Sequence, residues 1–163
     1  MKNVKTKYIL LPLMLLCMGC SHKTVIDEER VFDHNVWNRF TPEAFTVEVS
    51  DADAYYNINI TAAVDTLHYR YQEVPLMVIL ESPNGERRQF STLVLLQDKG
   101  RWRGEMQEGY RVASARVRSY FSFNHQGTYR MEIGQQTSQY DLEGIHSIAV
   151  NIEKAKIDYS NLD

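Results

Sequence analysis

Cysteine is nearly absent. The chain of 163 residues has two, Cys17 and Cys20, and none afterwards. A disulfide framework, a Cys-ligated metal and a cysteine nucleophile are thereby excluded beyond residue 20. Basic charge is not in surplus either: 18 Lys and Arg stand against 21 Asp and Glu, a formal charge of −3. No cationic excess is present to neutralise phosphates, which excludes nucleic acid as a partner. No apolar run reaches the roughly 20 residues that a membrane-spanning helix requires. Sequence signatures of catalysis are missing too, with no Gly-x-Ser-x-Gly elbow, no His-Glu-x-x-His pair and no glycine-rich phosphate loop. What the chain does have is 44% hydrophobic and 11% aromatic residues. That suits one domain with a sizeable core and excludes disorder along the whole length.

The first 19 residues differ in kind from the rest. Lys2, Lys5 and Lys7 form a basic segment without an acidic residue, and an apolar run from Tyr8 to Met18 ends at Gly19-Cys20. The run reads as the hydrophobic part of a signal peptide. Its end looks like a bacterial lipoprotein cleavage site, although Cys17 stands where an aliphatic residue is usual. Cleavage there leaves Cys20 as an acylated N-terminus; an ordinary secretory signal or an uncleaved anchor are the alternatives. Each buried acyl CH₂ contributes about 0.8 kcal/mol, so a multi-chain lipid anchors durably. Loss of the signal lowers Lys and Arg to 15 against the same 21 acids, a formal charge of −6. The expected attachment to a membrane is therefore the lipid and not the protein surface.

Residues 20–30 are polar after Cys20 and read as a lipidated N-terminus and tether, with an early strand at Thr24 to Ile26 as the alternative. From Val31 the periodicity is mainly two. Phe45, Val47 and Val49 alternate with polar residues, as do Tyr56, Ile58 and Ile60, which is the pattern of half-buried strands. Leu76–Leu80, the turn Ser82-Pro-Asn-Gly-Glu86 and Phe90–Leu96 predict a hairpin. Asp98-Lys-Gly100 predicts a second turn. Arg116–Phe123 and Thr128–Ile133 flank a third turn and predict another hairpin, and Ile145–Ile152 is a closing apolar strand. Met106, Tyr110, Ala113 and Val117 also match a helical face, which Gly109 weakens. A short helical turn is a further option for Gln139–Glu143. The fold class expected is all-β, an antiparallel sandwich of about 7–9 short strands. The division expected is signal peptide 1–19, tether 20–30, sandwich 31–155 and C-terminal tail 156–163.

No His of the five (22, 34, 68, 125 and 146) stands at metal-ligand spacing from another. His146 reads as a hydrogen-bonded core residue and His125 as an exposed turn residue. Asp51-Ala-Asp53 invites a calcium reading but reads better as a solvated turn, because the later Gly and Glu of an EF-hand loop are missing. The aromatics stand out more, with ten Tyr. Trp37 and Trp102 have polar neighbours and could anchor a protein partner or stack on sugars; core packing is the competing reading. Trp102, flanked by Arg101 and Arg103, is the best single candidate for an exposed anchor.

Several of these segments occur in an order that resembles a known family. They are Gly19-Cys20, then Trp37 and Phe40 ahead of the Phe45–Val49 strand, Tyr56-Asn-Ile-Asn-Ile60, and the pair Tyr69-Arg-Tyr71. Asp98-Lys-Gly-Arg-Trp-Arg-Gly104, Gly127-Thr-Tyr-Arg-Met-Glu-Ile-Gly-Gln135 and Leu142-Glu-Gly-Ile145 follow, and the last strand ends Ile152-Glu-Lys154. The chain resembles the gliding-motility lipoprotein family GldH of the Bacteroidota. It departs from that pattern at Ala62-Ala-Val64 and Val74-Pro75, where an Arg and an Asn are usual. The resemblance implies an outer-membrane lipoprotein without enzymatic activity or cofactor, partnered by envelope proteins of the gliding and type IX secretion machinery. Periplasmic facing is expected, because Ser21-His22-Lys23 lacks the acidic cluster of a surface-export signal and Asp27-Glu-Glu29 comes later than such a cluster. The alternative expectation is a surface glycan-binding sandwich with Trp37 or Trp102 as stacking platform.

Overall fold

The computed structural model describes residues 24–156. The signal peptide, Cys20 and residues 157–163 of the tail lie outside them. In chain order the strands are β1 Thr24–Val31, β2 Val36–Asn38, β3 Glu43–Val49, β4 Tyr55–Val64, β5 Glu73–Glu81, β6 Arg87–Leu95, β7 Gln97–Asp98, β8 Arg101–Trp102, β9 Glu105–Gln107, β10 Tyr110–Ser122, β11 Gly127–Gln135, β12 Asp141–Glu143 and β13 Ile145–Lys154. Nine of them build two antiparallel sheets, ordered β1-β13-β4-β10-β9 and β3-β11-β5-β6. Two small ribbons, β2-β12 and β7-β8, are added at one end. The all-β sandwich expected from the sequence is what forms.

The alternation seen in the sequence sets the two faces. Phe45, Val47 and Val49 of β3 point into the core, as do Tyr56, Ile58 and Ile60 of β4 and Leu76, Val78 and Leu80 of β5. Each fully buried aliphatic or aromatic side chain contributes about 1.5–3 kcal/mol from removal of apolar surface from water. The hairpin of β5 and β6 turns at Pro83-Asn84-Gly85 as expected, with the Gly85 N–H donating to the Ser82 carbonyl at 2.9 Å. Pro75, in an interior strand, sits just past the last rung between β5 and β11. Its missing N–H interrupts no ladder, and its carbonyl accepts from the Gln136 N–H at 2.9 Å.

Two expectations are corrected and two helical alternatives are excluded. Thr24–Val31 is not tether: it pairs along its length with β13, from Thr24 opposite Glu153 to Val31 opposite Ser147. The sandwich thus begins at residue 24 and not 31. Met106–Val117 is not helical, since β9 and β10 form a hairpin with Gln107 opposite Tyr110. Asp141–Glu143 of the proposed helical turn is strand β12, paired with β2. Arg116–Phe123 and Thr128–Ile133 do not pair with each other. β10 pairs with β4 while β11 pairs with β3 and β5, so the turn at residues 124–126 carries the chain from one sheet to the other. A ring cluster drives that crossing: Phe123 lies 4.9 Å from Tyr129 and 5.1 Å from Tyr56, in edge-to-face geometry.

Arginines close both seams between the sheets. The Arg30 guanidinium stands 4.6 Å over Phe45 and donates to the Ala44 carbonyl at 3.2 Å, joining β1 to β3. On the other side Arg118 stands 4.5 Å over Phe90, and Arg88 donates to the Ser122 carbonyl at 3.4 Å, joining β10 to β6. Registers place residue 24, the loop 50–54, the turn 82–86 and Lys154 at one end, with β2, β12 and the loops 65–72 and 136–140 at the opposite, distal end.

Candidate partner-binding site

The distal end gathers the sequence-predicted residues, and it treats them unequally. Trp37 is 1% exposed. Its ring stacks on Phe32 at 4.8 Å and 17°, and its Nε1–H donates to the Thr41 carbonyl at 3.0 Å. It belongs to the core, which overturns its selection as a surface residue. Trp102 is half-buried against the core, with the Arg111 guanidinium 5.8 Å above its ring. Neither indole therefore offers an open face for a sugar. Arg101 and Arg103 are exposed, and Arg103 is ion-paired to Asp98 at 2.8 Å.

These three residues belong to an arm that climbs from the end of β6. Leu96 and Gln97 donate backbone N–H groups to the Gln72 carbonyl at 2.8 and 3.0 Å, β7 and β8 fold back, and the Arg103 N–H returns to the Leu96 carbonyl at 2.7 Å. At Gly104 (φ +68) the chain presses onto β10 so closely that a Cβ would stand 1.9 Å from the Val112 carbonyl oxygen. Only glycine permits that approach. Beneath the arm, where the seam between β6 and β10 opens, is a cleft of about 620 Å³ bordered by Leu93, Leu95, Arg103 and Val112–Ala115. Leu93 and Leu95 project from an edge strand into solvent.

A second feature escaped the sequence reading. Phe40 is 70% exposed and Tyr140 67%, with ring centroids 5.7 Å apart. The Arg39 guanidinium lies 5.7 Å from the first ring and 5.9 Å from the second. The ribbon β2-β12 holds them in place. Asn38 donates through Nδ2 to Asp141 at 2.7 Å and accepts the Phe40 N–H at 2.9 Å, while the Arg39 N–H donates to the Tyr140 carbonyl at 2.8 Å. Beside them Leu67 is 85% exposed, and Tyr71 reaches the surface from Tyr69, 5.7 Å away and buried. Burial pushes the Tyr69 phenol pKa up, and its O–H donates to the Glu73 carbonyl at 2.8 Å. A hollow of about 260 Å³ joins Tyr71 to Asp141. Aromatic and arginine side chains on a rigid mount are the chemistry of interface hot spots. The signal available in the sequence was Phe40 itself, a large aromatic in the turn-forming string Asn-Arg-Phe-Thr-Pro.

Of the remaining polar candidates, His22 lies outside the described residues, and His68, His125, His146 and Asp51 are engaged locally. His68 Nδ1 lies 2.6 Å from Asp65, whose carboxyl that contact lowers below its usual range. His125 bonds Asn84 at 3.0 Å. His146 is half-buried and not core; it bonds Asn35 at 2.8 Å and stacks on Tyr110 at 3.7 Å. Asp51 accepts the Asp53 N–H at 3.2 Å and pairs with Lys154, as a solvated turn does. Among the described residues no group of three His, Cys, Asp or Glu side chains is arranged to hold a metal ion.

The family model described as GldH lipoprotein matches residues 24–152, from the start of β1 to near the end of β13. The chain belongs to the GldH lipoprotein family. Membership covers nearly the whole sandwich and makes the protein a gliding-motility-associated, membrane-anchored lipoprotein of the cell envelope. No curated protein and no solved structure matches it. Two segments that carried the GldH resemblance now have a structural reason. Gly104 is required where the arm meets β10. Gly144 (φ +80) is required where a Cβ would stand 2.4 Å from the Tyr69 backbone nitrogen.

Proposed function

We propose that the protein is a non-catalytic accessory of the gliding and type IX secretion machinery. In this reading it is held in the outer membrane by acylated Cys20, faces the periplasm, and offers its distal end to other envelope proteins. The observation that carries it is the exposed cluster of Phe40, Tyr140 and Arg39 on a hydrogen-bonded mount, at the end of the sandwich opposite residue 24. Large aromatic rings held in water without a folding role are costly unless a partner covers them. The arm with Arg101, Trp102 and Arg103 borders the same end and adds the Leu93–Leu95 cleft.

The test is in-cell crosslinking of a tagged copy in the native host, followed by mass spectrometry, beside Cys20→Ala and a Phe40→Ser, Tyr140→Ser double variant. Gliding or secretion components recovered with the parent and lost with both variants support the reading. Glycan transporters in their place, or no protein partner, overturn it.

A further inference from the structure

The same topology that isolates the distal end also decides how the domain meets its membrane. Thr24 lies opposite Glu153, and Lys154 opposite Tyr56, so β1 starts at the end of the sandwich where β13 finishes. Because β1 absorbs what the sequence suggested was tether, only Ser21, His22 and Lys23 separate Cys20 from the folded domain. Four Cα steps span at most about 14 Å fully extended. The polar layer of one leaflet takes up roughly 5–8 Å of that span. A residue acylated at position 20 therefore keeps this end of the sandwich within about 6–9 Å of the headgroups, and the surface that touches them sets the tilt of the domain.

The end so constrained carries two exposed tyrosines on the outer face of the sheet that contains β1. Tyr55 is 44% exposed at the start of β4, next to the inward Tyr56. Tyr120 is 56% exposed beside Asn57, whose side chain accepts its N–H at 3.4 Å. An irregular register between Arg116 and Phe121 puts Tyr120 there at φ 52. Neither ring has a stacking or packing role in the core. Phenol rings suit the zone between hydrocarbon and water, because they bury an apolar body while the hydroxyl stays hydrated. The chain beyond residue 19 has a formal charge of −6, so this contact does not depend on anionic lipid.

We infer that the anchor end of the sandwich is seated on the bilayer through Tyr55 and Tyr120, which points the Phe40–Tyr140 rim away from the membrane. This rests on acylation at Cys20. With β13 ten residues long, the rim stands roughly 30 Å above the seat at about 3.3 Å per residue. Partners are then met at that height and not at the membrane surface.

The experiment uses the full, processed lipoprotein in phosphatidylcholine vesicles. Acylation of Cys20 leaves no thiol in the chain, so cysteines introduced singly by Asp53→Cys, Gln126→Cys or Leu67→Cys take a fluorophore uniquely. A headgroup nitroxide should quench the labels at 53 and 126 several-fold more than the label at 67. Tyr55→Ser with Tyr120→Asn, the latter chosen because Asn tolerates positive φ, should shrink that difference, because the domain then tilts within the reach of its link to Cys20. Equal quenching at both ends of acylated protein would overturn the seating. A difference left unchanged by the double substitution would overturn the role of the tyrosines. Intact mass of the same sample reads the acyl chains, and an unmodified Cys20 would overturn the anchor and the seat together.

Discussion

Replacing Trp37 with Ala separates a core role from a surface role, and the two differ in magnitude. Truncation of a buried tryptophan costs about 3–5 kcal/mol, through lost transfer energy and the cavity left behind. Here that sum includes the stack on Phe32, about 0.5–1.5 kcal/mol, and a Thr41 carbonyl stripped of its Nε1–H donor, about 1 kcal/mol. Trp37→Phe keeps most of the apolar area and loses the donor, so its cost should be about 1–2 kcal/mol. For a urea slope of about 2 kcal/mol/M, the Ala variant's midpoint falls by about 2 M and the Phe variant's by less than about 1 M. Urea unfolding followed by far-UV circular dichroism on residues 21–163 measures both. Partner capture by the Ala variant should decline only as far as its folded fraction does. An unchanged midpoint with abolished capture would refute the reasoning, because it would make Trp37 an exposed anchor.

Gly144→Ala should destabilise the domain by about 1–3 kcal/mol from its left-handed backbone alone, with the contact on the Tyr69 nitrogen added; an unchanged melting temperature would contradict this. Gly104→Ala should instead free the arm, seen as faster amide exchange over residues 96–109 while the two main sheets stay protected. Phe40→Ser with Tyr140→Ser should change stability by no more than about 0.5 kcal/mol yet abolish partner recovery; a large drop in the unfolding midpoint would show that these rings are structural. Asp51, Asp65 and Glu86 are held below their usual values of 3.8, 3.8 and 4.5 by hydrogen bonds from Lys154, His68 and Arg88 respectively. Carboxyls lowered by folding stabilise the fold while ionised, so stability should hold near neutrality and decline as pH falls through and below that range. A urea midpoint that rises on acidification would contradict the assignment.

Much of the fold is legible along the chain because its causes are local. Alternation in Phe45–Val49 and Tyr56–Ile60 sets a buried and an open face whatever the strands pair with, and Pro83-Asn84-Gly85 turns the chain back by its own dihedral preferences. The candidate site is legible only in part. The motif pairs Trp37/Phe40 and Tyr69/Tyr71 each contain one buried ring and one exposed ring, and residue type does not distinguish them. Trp37 goes inward because Phe32 and the Thr41 carbonyl await it, and both positions depend on the ribbon with β12, about a hundred residues away in sequence.

The sequence by itself determined the all-β class, the hairpin of β5 and β6, the exclusion of cysteine chemistry from the domain and the family. Each follows from composition, from neighbouring residues or from ordered motifs. Only the tertiary structure decided that Thr24–Val31 is a strand. Ile26 alone is buried there, so no alternation marks it, and the segment is held by backbone pairing to the edge of β13. Only the tertiary structure decided that β10 and β11 part into different sheets. The same local turn would serve a hairpin equally well, and the choice lies with the rings of Tyr56, Phe123 and Tyr129, which meet between the sheets. Packing among residues distant in sequence settled both.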